Sequence, residues 1–181
     1  MSILITGGTG FIGSHTVVEL IQAGETPIIV DNLCNSKEIV LDRIETITGK
    51  RPKLYACDLL DLEATRKVFA ENEIDSVIHF AGLKAVGESC AQPLRYYHNN
   101  VTGTLILCEM LQKYGAKRIV FSSSATVYGD PISVPIPESA PLGKTTNPYG
   151  ETKQMIERIL TDLYRADPEW SVSILRYFNP V

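Results

Sequence analysis

"TGGTGFIG", residues 6–13, follows directly on the apolar run "SILIT" (2–6) and leads into "FIGSHTVVELIQAG" (11–24). Its glycines satisfy G-x-G-x-x-G through Gly8, Gly10 and Gly13, and G-x-x-G-x-x-G through Gly7, Gly10 and Gly13. Glycine is needed where a chain turns tightly behind a strand, where backbone must approach a pyrophosphate, and where the next helix packs on that strand. A glycine pattern alone is weak, because any tight turn uses the same residue. Between a strand and a helix it gains a purpose, since the helix N-terminus offers free N–H groups and a positive dipole end to phosphate.

Outward from this loop, short β-rich runs alternate with amphipathic ones. "TPIIV" (26–30), "KLYAC" (53–57), "SVIHF" (76–80), "RIVFS" (118–122) and "VSILRY" (172–177) join "SILIT" as strands. Their near-continuous apolar character fits strands buried on both faces, as in a parallel sheet. Residues 11–24, 62–72 and 93–115 read as helices, with Gly24 and Gly115 where C-terminal caps belong. In 93–115, Leu94, Tyr97, Val101, Leu105, Cys108 and Leu111 form a stripe at helical spacing. Pro131, Pro135, Pro137 and Pro141 make 129–146 an irregular loop. The alternation is that of an α/β domain, a Rossmann-type doubly wound parallel sheet.

The bulk properties bound the function. The chain has 181 residues, 44% hydrophobic and 21% charged, enough for one domain with a core. A net charge of −4 gives no electrostatic case for nucleic acid or an anionic membrane. The start carries no signal-peptide pattern, and no apolar run reaches the ~18 residues of a membrane span. Cys34, Cys57, Cys90 and Cys108 lack paired metal spacing and the three histidines are scattered. No metal site is expected, and a reducing cytoplasm fits best.

Three strand ends supply chemistry to the edge where open α/β sheets bind ligands. Asp31 ends the second strand, where a carboxylate accepts hydrogen bonds from an adenosine ribose and repels a 2′-phosphate; this favours NAD over NADP. Asp58, behind the third strand, either faces the adenine or caps the helix near Leu62. Ser122 and Ser124 end the fifth. "NPYGETK" (147–153) opens the next helix, with Asn147 as N-cap, Pro148 at its first position, and Tyr149 and Lys153 one turn apart on one face. A tyrosine with a pKa near ~10 is a poor base at neutral pH. The Lys153 ammonium, a cationic nicotinamide and the helix N-terminus would each lower that pKa, making Tyr149 a general base for alcohol–ketone interconversion.

Together "TGGTGFIG", "HFAGLKAVGES", "SSSATVYG", "NPYGETK" and "RYFNP" resemble the extended short-chain dehydrogenase/reductase family over the whole chain. Among its members the chain is most similar to those that epimerise C4 of a UDP-hexose through a 4-keto intermediate. The resemblance implies that Phe11, Ile12, Asp31, Asn32, Asn35, Ser36, Asp58, Leu59, Phe80, Ala81, Gly82, Lys84, Asn99 and Phe178 line an NAD site. It also implies that Ser124 and Tyr149 touch the sugar 4-hydroxyl while Tyr177 and Asn179 approach the substrate. A homodimer packed through helices 93–115 and 149–166 is implied too, as is a smaller substrate domain beyond residue 181. Residues 1–181 would then be the NAD-binding domain, unable to turn over much by itself. Three rivals share parts of this pattern. A 4,6-dehydratase would carry acidic residues where this chain has Ala125 and Thr126, a plain dehydrogenase would release NADH, and a non-catalytic NAD-binding module would lack the tyrosine–lysine pair.

Overall fold

The computed structural model describes residues 2–180. Six strands, β1 (Ser2–Thr6), β2 (Pro27–Val30), β3 (Lys53–Tyr55), β4 (Ile74–His79), β5 (Arg118–Ser124) and β6 (Ser171–Tyr177), form one sheet in the order β3-β2-β1-β4-β5-β6. Every pairing is parallel. β1 is hydrogen-bonded to β2 on one side and to β4 on the other, so the strand order reverses there and a crevice opens beyond the carboxyl ends. This is the expected doubly wound α/β fold.

Helices cover both faces. On one, α1 (Phe11–Gln22) and α2 (Ile39–Thr48) bury Val17, Ile21, Leu41 and Ile44 against Ile5 and Ile29. On the other, α3 (Leu62–Ala70), α6 (Gly103–Tyr114) and α7 (Pro148–Ala166) bury Val68, Leu107, Leu111, Ile156 and Leu160 against Leu4, Val77, Ile119 and Phe121. β1 therefore alternates between the two cores, Leu4 into one and Ile5 into the other, as period-two geometry requires. Gly115 closes α6 at φ 76°, and Gly24 follows α1 at φ 89°, both in the left-handed region that glycine tolerates. Residues 129–147 hold no helix or strand.

The structure corrects the sequence reading in three places. The segment 93–115 is not one regular helix: α5 (Pro93–Tyr96) passes into a π-helical segment (Tyr97–Thr102) before α6 begins. The extra residue per turn rotates the buried face, so Tyr96, Asn100, Thr104 and Leu107 point inward, while Leu94 is 82% exposed and Leu105 41%. Two helices went unread, α2, rich in β-branched residues, and the six-residue α4 (Val86–Ala91), too short for a periodic signal. The cap of α3 is Asp61, which accepts from Ala64 N at 3.0 Å, not Asp58.

Candidate active site

A crevice of about 570 Å³ runs along the carboxyl edge of the sheet, from the glycine loop and β2 to the start of α7 and the end of β6. Apart from Gly8, every residue named above for the cofactor or the substrate lines it. Gly8 backs onto Ile29, so the operative spacing is Gly7, Gly10, Gly13. Gly7 turns at φ 71°, and a Cβ there would stand 2.8 Å from Ala81 N. A Cβ on Gly13 would run into the Gly7 carbonyl oxygen. No side chain caps α1, so the N–H groups of its first turn are left to whatever occupies the crevice. The cradle fits a pyrophosphate by its shape and its donors.

Asp31, buried at the end of β2, accepts from Thr9 N (3.1 Å), Leu33 N (2.9 Å) and Ser36 Oγ (3.2 Å). It ties the glycine loop to β2 and keeps acceptor capacity for a ribose. Asn32 Nδ2 donates to Asp58 Oδ2 at 2.8 Å, joining the ends of β2 and β3 at the same rim.

At the opposite end, Asn147 Oδ1 accepts from Gly150 N at 2.8 Å and caps α7, with Pro148 at its first position. The cap presents Tyr149 and Lys153 to the crevice. Lys153, 5% exposed, donates from Nζ to the carbonyl of Ser122 at 2.7 Å and stands 4.7 Å from the Phe121 ring centre. Burial lowers its pKa to about 8, and Glu157 one turn further along opposes that shift. Tyr149 departs from the expectation. Burial pushes its phenol above the usual range, and only the Ser124 hydroxyl opposes this. Lys153 spends its hydrogen bond on Ser122, and its Nζ lies 6.0 Å from the Tyr149 ring centre. Desolvation outweighs the pull toward phenolate in the protein by itself.

Around this pair lie residues that the sequence did not single out. Asn100, 3% exposed, binds both backbone groups of Leu83 (2.8 and 2.9 Å) and donates to Thr152 Oγ1 at 3.0 Å, fixing the loop behind β4 to α7. Thr104 Oγ1 donates to Asn100 O (2.6 Å), so it accepts from His79 Nε2 (2.9 Å). His79 Nδ1 then accepts the Thr6 hydroxyl at 2.6 Å, which defines one tautomer of a neutral ring. Burial, with Lys153 adding to it, takes the His79 pKa down to about 3. Glu157, 3% exposed, accepts from Ser123 Oγ (2.5 Å) and from Arg176 Nε and Nη2 (3.0 and 2.8 Å), bracing α7 against β5 and β6. Partners this far apart in sequence leave no local signal; only glycine, cap and helical spacings do.

Among the described residues no cluster of three or more His, Cys, Asp or Glu could hold a metal ion, and no helix is long and apolar enough to cross a membrane. The sequence profile of the NAD dependent epimerase/dehydratase family matches residues 3–181. The UDP-glucose 4-epimerase of Bacillus subtilis is 64% identical over 180 residues, 99% of this chain and 53% of that protein. The crystal structure of UDP-glucose 4-epimerase from Bifidobacterium longum, in complex with NAD+ and UDP, matches with a TM-score of 0.98 at 54% identity, covering 100% of this chain and 54% of that one. A third, from Stenotrophomonas maltophila with bound NAD and formylated UDP-arabinopyranose, gives 0.96 at 45% identity, covering 100% and 54%. The chain thus spans about half the length of the relatives it matches.

Proposed function

Since this chain belongs to the NAD dependent epimerase/dehydratase family, we propose that its crevice binds NAD+ and that Tyr149, Lys153 and Ser124 serve the epimerisation of a UDP-hexose at C4, through a 4-keto intermediate. One observation carries the reading: Ser124, Tyr149 and Lys153 line the same crevice as the glycine cradle and Asp31. Bound there, NAD+ supplies a hydride acceptor that returns what it takes.

The remaining work falls to side chains of this chain. The first turn of α1 holds the pyrophosphate, and Asp31 accepts from the adenosine ribose. Lys153 holds a ribose hydroxyl and offers its positive charge to the developing phenolate. Tyr149 takes the proton of the sugar 4-hydroxyl and gives it back on the return, with the Ser124 hydroxyl beside it supporting the phenolate. A tyrosine raised by burial needs that help. A bound NAD+ would bring the positive charge of its nicotinamide, which would further favour phenolate at Tyr149. Tyr177 and Asn179 approach the sugar nucleotide from the end of β6.

On this reading the second wall of the substrate pocket comes from the half of the relatives' length that lies outside these 181 residues. The same reading makes the protein a cytoplasmic homodimer of galactose metabolism. Exposed Leu94, Leu105 and Met155 on the two helical segments 93–114 and 148–166 support pairing of copies there, which a light-scattering mass checks. Ala125 and Thr126, which cannot carry protons at neutral pH, count against a 4,6-dehydratase.

The test joins residues 1–181 to the C-terminal half of the Bacillus subtilis relative and follows UDP-galactose by NMR. UDP-glucose should form while the nucleotide stays bound. A 4-keto-6-deoxy product or a net build-up of NADH would overturn the proposal in favour of a dehydratase or a dehydrogenase.

A further inference from the structure

Behind Ser124 the chain forms one 3₁₀ turn, Ala125–Tyr128. Thr126 in that turn donates to Ser124 Oγ twice, from its backbone N at 3.3 Å and from its own Oγ1 at 3.0 Å. A serine hydroxyl has two lone pairs and one proton. With both lone pairs engaged by Thr126, the Ser124 proton has one direction left, outward into the crevice that Ser124, Thr126 and Tyr149 line together. Serine is otherwise ambivalent, as ready to accept as to donate. Here the fold removes the choice.

The turn that does this is pinned to the helix carrying Tyr149. Gln154 Nε2 on α7 donates to the carbonyls of Val127 (3.2 Å) and Gly143 (2.9 Å). Gly150, next to Tyr149, is buried against Thr126: a Cβ there would stand 3.3 Å from both Thr126 Cβ and Oγ1. Thr126 thus sits between the serine it orients and the first turn of α7, within one rigid contact.

We infer that Thr126 is a positioning residue that fixes Ser124 as a hydrogen-bond donor toward the phenolic oxygen of Tyr149, and so favours the deprotonated tyrosine. Its consequence for turnover rests on the epimerase reading, but its effect on the tyrosine does not. Of the titratable and charged groups, Glu151, Lys153 and Glu157 share the helix of Tyr149, and Asp31, Asp58, His79, Lys84 and Tyr177 line the crevice with it. Exchanging Thr126 alters none of those charges. A donor fixed on the phenolate stabilises it, so a Ser124 proton free to rotate leaves Tyr149 harder to ionise.

The experiment labels the 181-residue chain with 3-fluorotyrosine, whose phenol ionises lower than tyrosine, and follows Tyr149 by ¹⁹F NMR against pH, its signal assigned with Tyr149→Phe. Thr126→Val should raise the Tyr149 midpoint by about half a pH unit or more, and Thr126→Ser should restore it. Ser124→Ala should raise the midpoint too, and adding Thr126→Val to it should change nothing further, because there is then no serine to orient. Should Thr126→Val fail to fold, Thr126→Ala carries the same comparison. NAD+ affinity, measured by calorimetry on the same samples, reports separately on the cofactor reading. An unchanged midpoint in Thr126→Val, or an equal rise with and without Ser124, would overturn the inference.

Discussion

The ammonium of Lys153 lies 6.0 Å from the centre of the Tyr149 ring and spends its short hydrogen bond, 2.7 Å, on the carbonyl of Ser122. The two residues share a helical face, and the ammonium is committed to β5. The Ser124 hydroxyl is the group that opposes the upward shift of the phenol. Burial raises the tyrosine and lowers the lysine at once, so the site resists charge on both. Two adjoining buried groups whose pKa values are shifted in opposite directions are a common signature of a reacting site.

If Tyr149 is the proton acceptor, its hydroxyl is needed for chemistry and not for holding the cofactor. In the completed chain Tyr149→Phe should lower kcat by ~10²–10⁴-fold and leave NAD+ bound. Steady-state kinetics with UDP-galactose decide it; more than about half of the activity remaining would assign the base elsewhere.

Lys153 is held against its desolvation cost. Its pKa near 8 in the folded chain lies below the ordinary 10.5, so between these values the folded protein binds fewer protons than the unfolded one. Stability from this residue therefore rises with pH across that window. At pH 7 Lys153→Met should be more stable than the parent by about 2 kcal/mol, the desolvation cost less the lost Ser122 hydrogen bond. The advantage should fade between about pH 8 and 10.5. Urea unfolding at several pH values measures this, and a variant less stable at pH 7 would contradict it.

His79 has the opposite pH range. Neutral in the folded chain down to about pH 3, it gains a proton on unfolding below about 6.5. Its contribution is complete above 6.5 and is lost as the pH falls, by about 2 kcal/mol at pH 5. His79→Gln should start less stable at pH 7 and show a flatter decline toward pH 5. Parallel declines in the two proteins would show that another group carries the acid lability.

Glu157 compensates Arg176 in a largely closed space, the two side chains being 4% and 24% exposed. Removing the carboxylate strands a guanidinium, so Glu157→Gln should cost about 3 kcal/mol in urea unfolding. A loss below about 0.5 kcal/mol would mean that solvent already satisfies Arg176.

How much of this was legible in the sequence depended on the range of each interaction. The glycine loop, Asp31 and the Asn147-Pro148-Tyr149…Lys153 run were readable because each needs particular residues at fixed local spacing, beside a strand or on one helical turn. Asn100 was not, because its partners Leu83 and Thr152 lie 17 and 52 positions away. The buried face of 93–115 was only partly legible: Cys108 and Leu111 of the stripe are buried, but a π segment shifts its phase, and apolar Leu94 and Leu105 fit the regular pattern better than polar Asn100 and Thr104. The upward shift of Tyr149 in the chain by itself was not legible because burial, which decides it, is a property of the assembled crevice.

The cofactor crevice is the central claim, and a calorimetric titration of the 181-residue chain with NAD+ and with NADP+ tests it most directly. NAD+ should bind at one site and more tightly than NADP+, because a carboxylate at the end of β2 would repel a 2′-phosphate. Asp31→Ala should weaken NAD+ and narrow the difference. No binding of NAD+ by the folded chain, or NADP+ binding equally or more tightly, would contradict the account.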